Sequence, residues 1–576
     1  MNQKFAVVGG GLAGLMTTIK LVEAGKHVDI FSIVPCRRSH SVCAQGGINA
    51  SVNTKGEGDS PQIHFEETIF GGDYLANQPM VRDMCAAAPE IIYMFDRLGV
   101  AFNRTVDGLI DFRRFGGTKF HRTAFAGSTT GQQLMYALEE QVRRYEAEGK
   151  IRRYEGWEFL SCVMDETQTA RGIVAIDLIS LELRAFRADA VVLCTGGIGM
   201  VYGRSTNSTI CTGSAAGSVF KQGVWYANGE FVQVHPTAIP GEDKHRLMSE
   251  AIRGEGGRVW TYKEGKPWYF LEEWFPKYGN LVPRDIASRS IFRVCRELNL
   301  GIDGKDLVYL DISHLDPKAL HAKLGGVIEI YEKFVGENPA KVPMRVFPAV
   351  HYTMGGIYID NEHATNLTGI FAAGECEYQY HGANRLGANS LLSCIYGGDL
   401  AARRVIRYAD SLTTNANDVN TRFFDSELKR QREFNEQYLK ARGSENPYEL
   451  WEEMAKWMTD HVTVIRKNKD LKTTNEKLLE LTDRLAHVSL HDTTNWVNQA
   501  LIFTRELENM LVLARIITLG ALARNESRGA HYKPDFPDRN DKEWLKTTVA
   551  KWTGKDIELS YEKVDTSLIT PKERKY

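Results

Sequence analysis

The sequence predicts an α/β fold in which a parallel sheet is assembled from distant stretches, interrupted by an inserted domain and followed by helices. Three observations carry this. Residues 4–8, KFAVV, form a short apolar run that ends in GGGLAG and passes into LMTTIKLVEAG, which has helical spacing; this pattern reads as a buried parallel strand, a tight turn and a helix. AVVLC at 190–194 and GIFAA at 369–373 repeat the apolar run far along the chain, as expected of one sheet built discontinuously around an insertion. From about 411 the pattern changes to long stretches such as DSELKRQREFNEQYLKA and NWVNQALIFTRELENMLVLARIITLGALA, which suit a helical bundle.

Taken in order, HVDIF at 27–31 closes a first strand–helix–strand unit. The nucleotide-binding sheet is assigned to residues 1–235 and 352–410. Residues 236–351, where Pro, Trp and charged side chains crowd together, are assigned to a capping domain. Residues 411–530 form the helical domain and 531–576 a C-terminal tail, which HYKPDFPDRND marks as polar and loop-rich. A chain of 576 residues is too long for one core.

Lys plus Arg number 71 against 73 Asp plus Glu, a formal net charge of −2, so no global field draws the chain to nucleic acid or an anionic bilayer. The opening MNQKFAVVGGG leaves no room for a secretory leader. No run approaches the ~18 apolar residues a membrane span needs. A cytosolic chain that meets a membrane only through partners is expected. The nine cysteines are scattered and none forms CxxC, which fits a reduced compartment and removes the local spacing of a ferredoxin-type cluster or a zinc ribbon. No metal site is assigned.

Gly9, Gly11 and Gly14 form GxGxxG around Leu12 and Ala13, between a strand and a helix. That context suits a pyrophosphate held by backbone N–H groups at a helix N-terminus. The acidic residue expected for a ribose at the end of the second strand is replaced by Ser32, which argues against a plain NAD site. Two further pieces point to FAD: VVLCTGG at 191–197, with Thr195 and Gly196, and TGIFAAGE at 368–375, whose Glu375 can hydrogen-bond a ribityl chain.

The strings SHSVCAQGGINAS (39–51), HPTAIPG (235–241), EAIRGEGG (250–257), PRDIASRSI (283–291), HYTMGG (351–356), HGANRLGANSLL (381–392) and ESRGAHYKPDFPDRND (526–541) span nearly the whole chain. Together the chain resembles the flavoprotein subunit of succinate dehydrogenase and fumarate reductase. STNSTICTGSAAG (205–217) and HPTAIPGEDKHRLMSE (235–250) resemble the Gram-positive branch found with dihaem, menaquinone-linked membrane anchors.

The resemblance implies a Rossmann-like FAD-binding domain interrupted by a mobile cap, with FAD bonded covalently to His40. It implies cofactor contacts from Ser39, Ser41, Ala44, Gln45, Gly46 and Gly47, and from Asn389, Ser390 and Leu391. Ser214, where many relatives have aspartate, is carried over as a weaker contact. His235, Ser249, His351 and Arg385 are implied as the clamp on a small dicarboxylate; an arginine fork and neutral donors suit two carboxylates. Taken one at a time, each histidine is better explained as a satisfied core residue; the intact motifs around all of them reverse that preference. Arg284 is implied as the proton-transferring group, with Glu250 and Arg253 as its relay, although arginine ordinarily stays protonated; the alternative for a lone Arg–Asp dipeptide is that Arg284 merely pairs with Asp285.

The implied function is the catalytic flavoprotein subunit of succinate:quinone oxidoreductase (complex II), which passes electrons to an iron–sulfur subunit on a haem-bearing membrane anchor at the cytoplasmic face of the cell membrane. Fumarate reduction is the same path reversed. The alternatives are an L-aspartate oxidase, which shares the fold and needs no partner, and a noncatalytic flavin-binding assembly, which has no reason to keep both clamp and relay.

Overall fold

The computed structural model describes residues 3–574; the first two residues of the assigned first domain and the last two of the tail lie outside the described residues. Five strands form one parallel sheet in the order Ile370–Ala372, Ala190–Leu193, Lys4–Val8, His27–Ser32 and Ile151–Glu155. Phe5, Val7, Val191 and Val192 are wholly buried, which is why these strands read as unbroken apolar runs. The sheet grows from Lys4–Val8 in both directions, so the strand order reverses there and leaves a crevice at the carboxyl ends, where such folds bind dinucleotides.

The edge strand Ile151–Glu155 did not announce itself in the sequence. Only Ile151 of IRRYE is buried, because an edge position needs little apolar surface. Directly after it, Trp157–Met164, Ala170–Asp177 and Leu183–Arg187 form an antiparallel three-stranded sheet.

Two long antiparallel strands, Val232–Ile239 and Met344–Thr353, lead from the nucleotide-binding sheet into the insertion without a linker. They anchor a six-stranded sheet completed by Val308–Asp311, Arg258–Lys263, Lys266–Trp268 and Arg246–Leu247. The insertion has its own apolar core, running from Ile239 through Phe270, Ile291 and Leu310 to Val346. Its helix Pro317–Val335 starts where Asp316 accepts the Ala319 N–H at 3.0 Å and ends at Gly336 with φ 81°, an ordinary capping pair.

Beyond the sheet lie the helices Arg422–Lys440, Pro447–His461, Asn468–Leu485 and Gln499–Ala523. The last is buried over most of its circumference, as expected of a helix that is apolar all round, and packs on the short helix Ser214–Lys221.

The tail departs from its loop-rich, polar reading. Residues 531–540 stay irregular, but Lys546–Trp552 and Ile557–Lys563 pair as a hairpin that also joins Tyr226–Ala227 and Gly356–Ile357. KTTVAKW puts Val549 and Ala550 into the core, and Gly554, at φ 90°, makes the turn. Buried ion pairs bind this region down: Arg524 to Glu230 at 2.8 Å and to Glu526 at 2.9 Å, and Arg528 to Glu526 at 2.8 Å.

Candidate active site

One cavity of about 450 Å³ runs from the glycine turn to the underside of the insertion. At its start a Cβ on Gly9, which has φ 117°, would strike the Cys194 carbonyl, and one on Gly14 would strike the Gly9 carbonyl. Both positions therefore require glycine, which lets strand, turn and helix close tightly and leaves backbone N–H groups facing the cavity. Leu12, Ala13, Ser32, Ser39, Ser41, Ala44, Gln45, Gly46, Gly47, Thr195, Gly196, Ser214, Glu375, Ser390 and Leu391 all line it.

Asn389 does not. Its Oδ1 accepts from Asn49 at 2.8 Å and faces His64 Nε2 at 2.9 Å, while its Nδ2 donates to Thr68 at 2.9 Å. It opens the helix Asn389–Ser411, where neighbouring residues point about 100° apart, so Ser390 and Leu391 face the cavity while Asn389 braces the loop behind it.

His40 lies in a single helical turn, His40–Cys43, and lines the cavity. The Ser208 N–H donates to its Nδ1 at 3.2 Å and Asn207 Nδ2 approaches its Nε2 at 3.1 Å. Burial, helped by the Lys244 charge, pushes the imidazole down to about 4, so the ring is neutral and keeps a lone pair for bonding at pH 7. Arg113, which the sequence reading did not single out, holds the loop by donating to the carbonyls of Gln45 at 3.0 Å and Gly46 at 2.9 Å. Glu375 accepts the Thr353 N–H at 3.1 Å. Burial raises its carboxyl to about 7, against the opposing pull of that N–H and of Arg385.

Deeper in, His235, Ser249, Glu250, Arg284, His351 and Arg385 converge on the same space. The rings of His235 and His351 stand 5.0 Å apart, edge to face. Thr206 Oγ1 meets His351 Nδ1 at 2.7 Å, whereas His235 uses Nδ1 toward Thr237 and leaves its buried Nε2 unpartnered. Burial first, then neighbouring positive groups, hold both rings well below their ordinary range. They are neutral, and the tautomer of His235 that accepts the Thr237 N–H presents Nε2–H as a donor.

Among the described residues Arg385 forms no direct ion pair, although the nearby Glu375 and Glu250 charges favour its charged form. Its Nη1 reaches Ser390 Oγ at 3.3 Å, its Nε is buried without a partner, and its guanidinium lies 4.6 Å from the centre of the Tyr352 ring. Burial, with the Arg284 charge, pushes it down to about 9. A buried arginine with no directly paired anion is costly to keep, and its geometry suits a carboxylate.

Arg284 and Arg253 flank one carboxylate. Arg284 Nε and Nη2 lie 2.8 and 2.7 Å from Glu250 Oε2, and Arg253 Nη2 lies 2.9 Å from Glu250 Oε1. Burial raises the Glu250 carboxyl, but the Arg284 and Arg253 charges outweigh it and bring the group below its ordinary value. Arg253 stands behind Glu250, off the cavity, and donates to the Asn280 carbonyl at 2.6 Å. Arg284 also donates to Gln233 Oε1 at 3.0 Å. Its sequence neighbour Asp285 is taken by Arg574 at 3.2 Å and Asn384 at 3.2 Å, so the pairing of Arg284 is with Glu250.

Gln233 and Thr206 went unread in the sequence, although Gln233 precedes His235 by two residues on one strand and Thr206 lies within STNSTICTGSAAG. Among the described residues no cluster of His, Cys, Asp and Glu could hold a metal ion, and no helix is long and apolar enough to cross a membrane.

The FAD-binding domain family matches residues 4–391, and the fumarate reductase flavoprotein C-terminal family matches 451–576. The succinate dehydrogenase flavoprotein subunit of Bacillus subtilis is 61% identical over 99% of this chain and 98% of its own length. The chain belongs to the succinate dehydrogenase and fumarate reductase flavoprotein family. The fumarate reductase flavoprotein subunit of Serratia is 35% identical over the full chain and 96% of its own length. A solved quinol–fumarate reductase with menaquinol matches at TM-score 0.92 and 33% identity, covering 99% of this chain and 100% of its own. The chain is thus an FAD-dependent oxidoreductase of this family, and the glycine cradle and elongated cavity fit the cofactor that the family's domain is named for.

Proposed function

We propose that this chain is the catalytic flavoprotein subunit of a succinate:quinone oxidoreductase, oxidising succinate to fumarate. The observation that carries this reading is the arrangement of an anion-seeking Arg385 and two neutral histidines around the Arg284–Glu250–Arg253 ladder. Arg385 takes one carboxylate as a fork, while His235, Ser249 and His351 donate to the other. When bound, FAD supplies the two-electron acceptor for the C–H bond broken at one carbon. Arg284 receives the proton from the adjacent carbon. Its Nε and Nη2 are already shared with Glu250, so it can hand one proton to the carboxylate while it accepts another, and Arg253 extends the path. A free neutral arginine need not accumulate.

His40 is the residue we assign to the covalent link with FAD, supported by its neutral ring and its place on the cavity wall. Residues 236–351 act as a cap whose closure over the substrate excludes water; their separate apolar core supports treating them as one unit. Electrons leave through an iron–sulfur subunit on a haem-bearing membrane anchor, with this chain peripheral at the cytoplasmic face. The higher identity to a succinate dehydrogenase than to a fumarate reductase favours the oxidative direction. The test is dye reduction by the purified holoprotein: succinate supports it and L-aspartate does not. Turnover of L-aspartate with indifference to succinate would replace this reading with that of an aspartate oxidase.

A further inference from the structure

Asp285 follows Arg284 on the helix Arg284–Phe292 and has no part in the clamp or the ladder. The helix packs into the core of the insertion through Ala287 and Ile291, yet the groups that hold Asp285 come from outside the insertion. Asn384 Nδ2 donates to its Oδ1 at 3.2 Å, and Arg574 Nη1 lies 3.2 Å from its Oδ2. Asn384 immediately precedes the clamp residue Arg385. Its Oδ1 accepts from Gln233 Nε2 at 3.0 Å, the same Nε2 reaches the Arg385 carbonyl at 2.7 Å, and Gln233 Oε1 accepts from Arg284 Nη1 at 3.0 Å. Arg284, Gln233, Asn384 and Asp285 thus form a hydrogen-bonded ring that closes through the Arg284–Asp285 peptide and ties the proton-transferring guanidinium to the clamp.

Arg574 links this ring to the rest of the fold. Its Nη1 stands between two carboxylates, 3.2 Å from Asp285 Oδ2 and 3.2 Å from Asp73 Oδ2, and its side chain is largely buried. Asp73 is itself anchored. It and Tyr74 both take the left-handed backbone, with φ 53° and 64°, an unusual run for two non-glycine residues and of the kind found where a contact is worth its strain. Arg528 donates to the Asp73 carbonyl at 2.9 Å and the Gly529 N–H to Asp73 Oδ2 at 2.9 Å. The tail segment that carries Arg574 is pinned as well: Gln78 clasps the Ile569 N–H at 2.8 Å and carbonyl at 2.9 Å, and Arg539 donates to the Lys572 carbonyl at 2.9 Å. Without Arg574, the carboxylates of Asp73 and Asp285 would repel one another across the boundary of the insertion; with it between them they are drawn together.

We propose that Arg574 and Asp285 are positioning residues for the proton transfer: the tail arginine latches the helix Arg284–Phe292 onto Asp73, and the ring through Asn384 and Gln233 keeps the Arg284 guanidinium in register with a substrate held by Arg385. This inference rests on the reading of Arg284 as the proton-transferring group. Neither Arg574 nor Asp285 lines the cavity, so their loss acts on the placement of Arg284 and not on the substrate contacts. A displacement of about 1 Å caused from a distance can cost about 10²-fold in rate.

The experiment follows flavin bleaching by succinate in the full-length holoprotein, in water and in heavy water, beside titration with a dicarboxylate inhibitor. Arg574→Ala should bleach at least about 10-fold more slowly, with a larger solvent isotope effect and unchanged inhibitor affinity. Arg574→Lys should recover most of the rate, because one ammonium can replace Nη1 between the two carboxylates. Asp285→Asn should slow bleaching by a similar factor, and combining it with Arg574→Ala should add little, since both break one link. A parent rate in Arg574→Ala overturns the proposal, as does a loss that lysine does not recover or one in which rate and inhibitor affinity fall together. Slow bleaching by Arg284→Gln beside a parent rate in Arg574→Ala refutes the latch alone, whereas a parent rate in Arg284→Gln removes the assignment on which the latch rests.

Discussion

Arg284 and Glu250 meet through two guanidinium nitrogens on one carboxylate oxygen, at 2.8 and 2.7 Å, while Arg253 holds the other oxygen at 2.9 Å. The three side chains form one continuous ion-paired chain, the route of the proposed proton transfer, and all three are buried. Arg284→Gln should therefore lower turnover in both directions by about 10²- to 10⁴-fold, the usual worth of a positioned acid or base. Binding of a dicarboxylate inhibitor should persist. Steady-state rates and inhibitor titration check both halves, and a variant that loses affinity but keeps its rate would assign Arg284 to the clamp instead.

Arg385→Gln should act on binding. Removing a buried charge that pairs with a carboxylate costs about 2 to 5 kcal/mol, which appears as weaker inhibitor and substrate binding. Unchanged inhibitor affinity in this variant would remove Arg385 from the substrate site.

The same residue sets a pH limit. Arg385 is pushed down to about 9 by burial and by Arg284, so in the free protein it carries its charge below that pH and loses it above. Binding of a dianion favours the charged form. Affinity should accordingly be flat on the acid side and fall as pH rises through about 9. Inhibition constants for a dicarboxylate across pH 7 to 10 measure this, and a flat profile to pH 10 contradicts it.

His40→Ser should release flavin into the supernatant on acid precipitation, whereas the parent chain should keep it with the polypeptide. The variant should lose succinate oxidation more than fumarate reduction, since the lower flavin potential expected without the link opposes only the oxidation. Free flavin from the parent chain would exclude the covalent link.

Glu230→Gln tests how the C-terminal region is held. Glu230 pairs with Arg524, and both side chains are fully buried. Breaking one half of such a pair costs about 3 to 5 kcal/mol, so thermal unfolding should begin several degrees earlier.

Much of this was legible in the sequence where local chemistry and structure coincide. Gly9 and Gly14 are required by close backbone approach, and Val7 and Val192 by burial on both faces, so each leaves a mark in composition. The edge strand Ile151–Glu155 and the hairpin Lys546–Lys563 left weaker marks, because edge and half-exposed strands tolerate charge. The clamp and ladder residues stood in recognisable strings; of their partners Gln233 did not, and Thr206 lay unread within one. Gln233, Thr206 and Arg113 act through contacts made by tertiary folding, and Asn389 sits within a recognised string yet faces away from the cavity.

Anaerobic rapid mixing of the holoprotein with succinate, following the flavin absorbance, reads succinate oxidation and the Arg284 proton transfer in one experiment. Succinate should bleach the flavin and fumarate restore it, and Arg284→Gln should still bind a dicarboxylate inhibitor but bleach at least about 100-fold more slowly. An Arg284→Gln chain that bleaches at the parent rate would contradict the proton path, and a parent chain that succinate cannot bleach would contradict the assigned reaction.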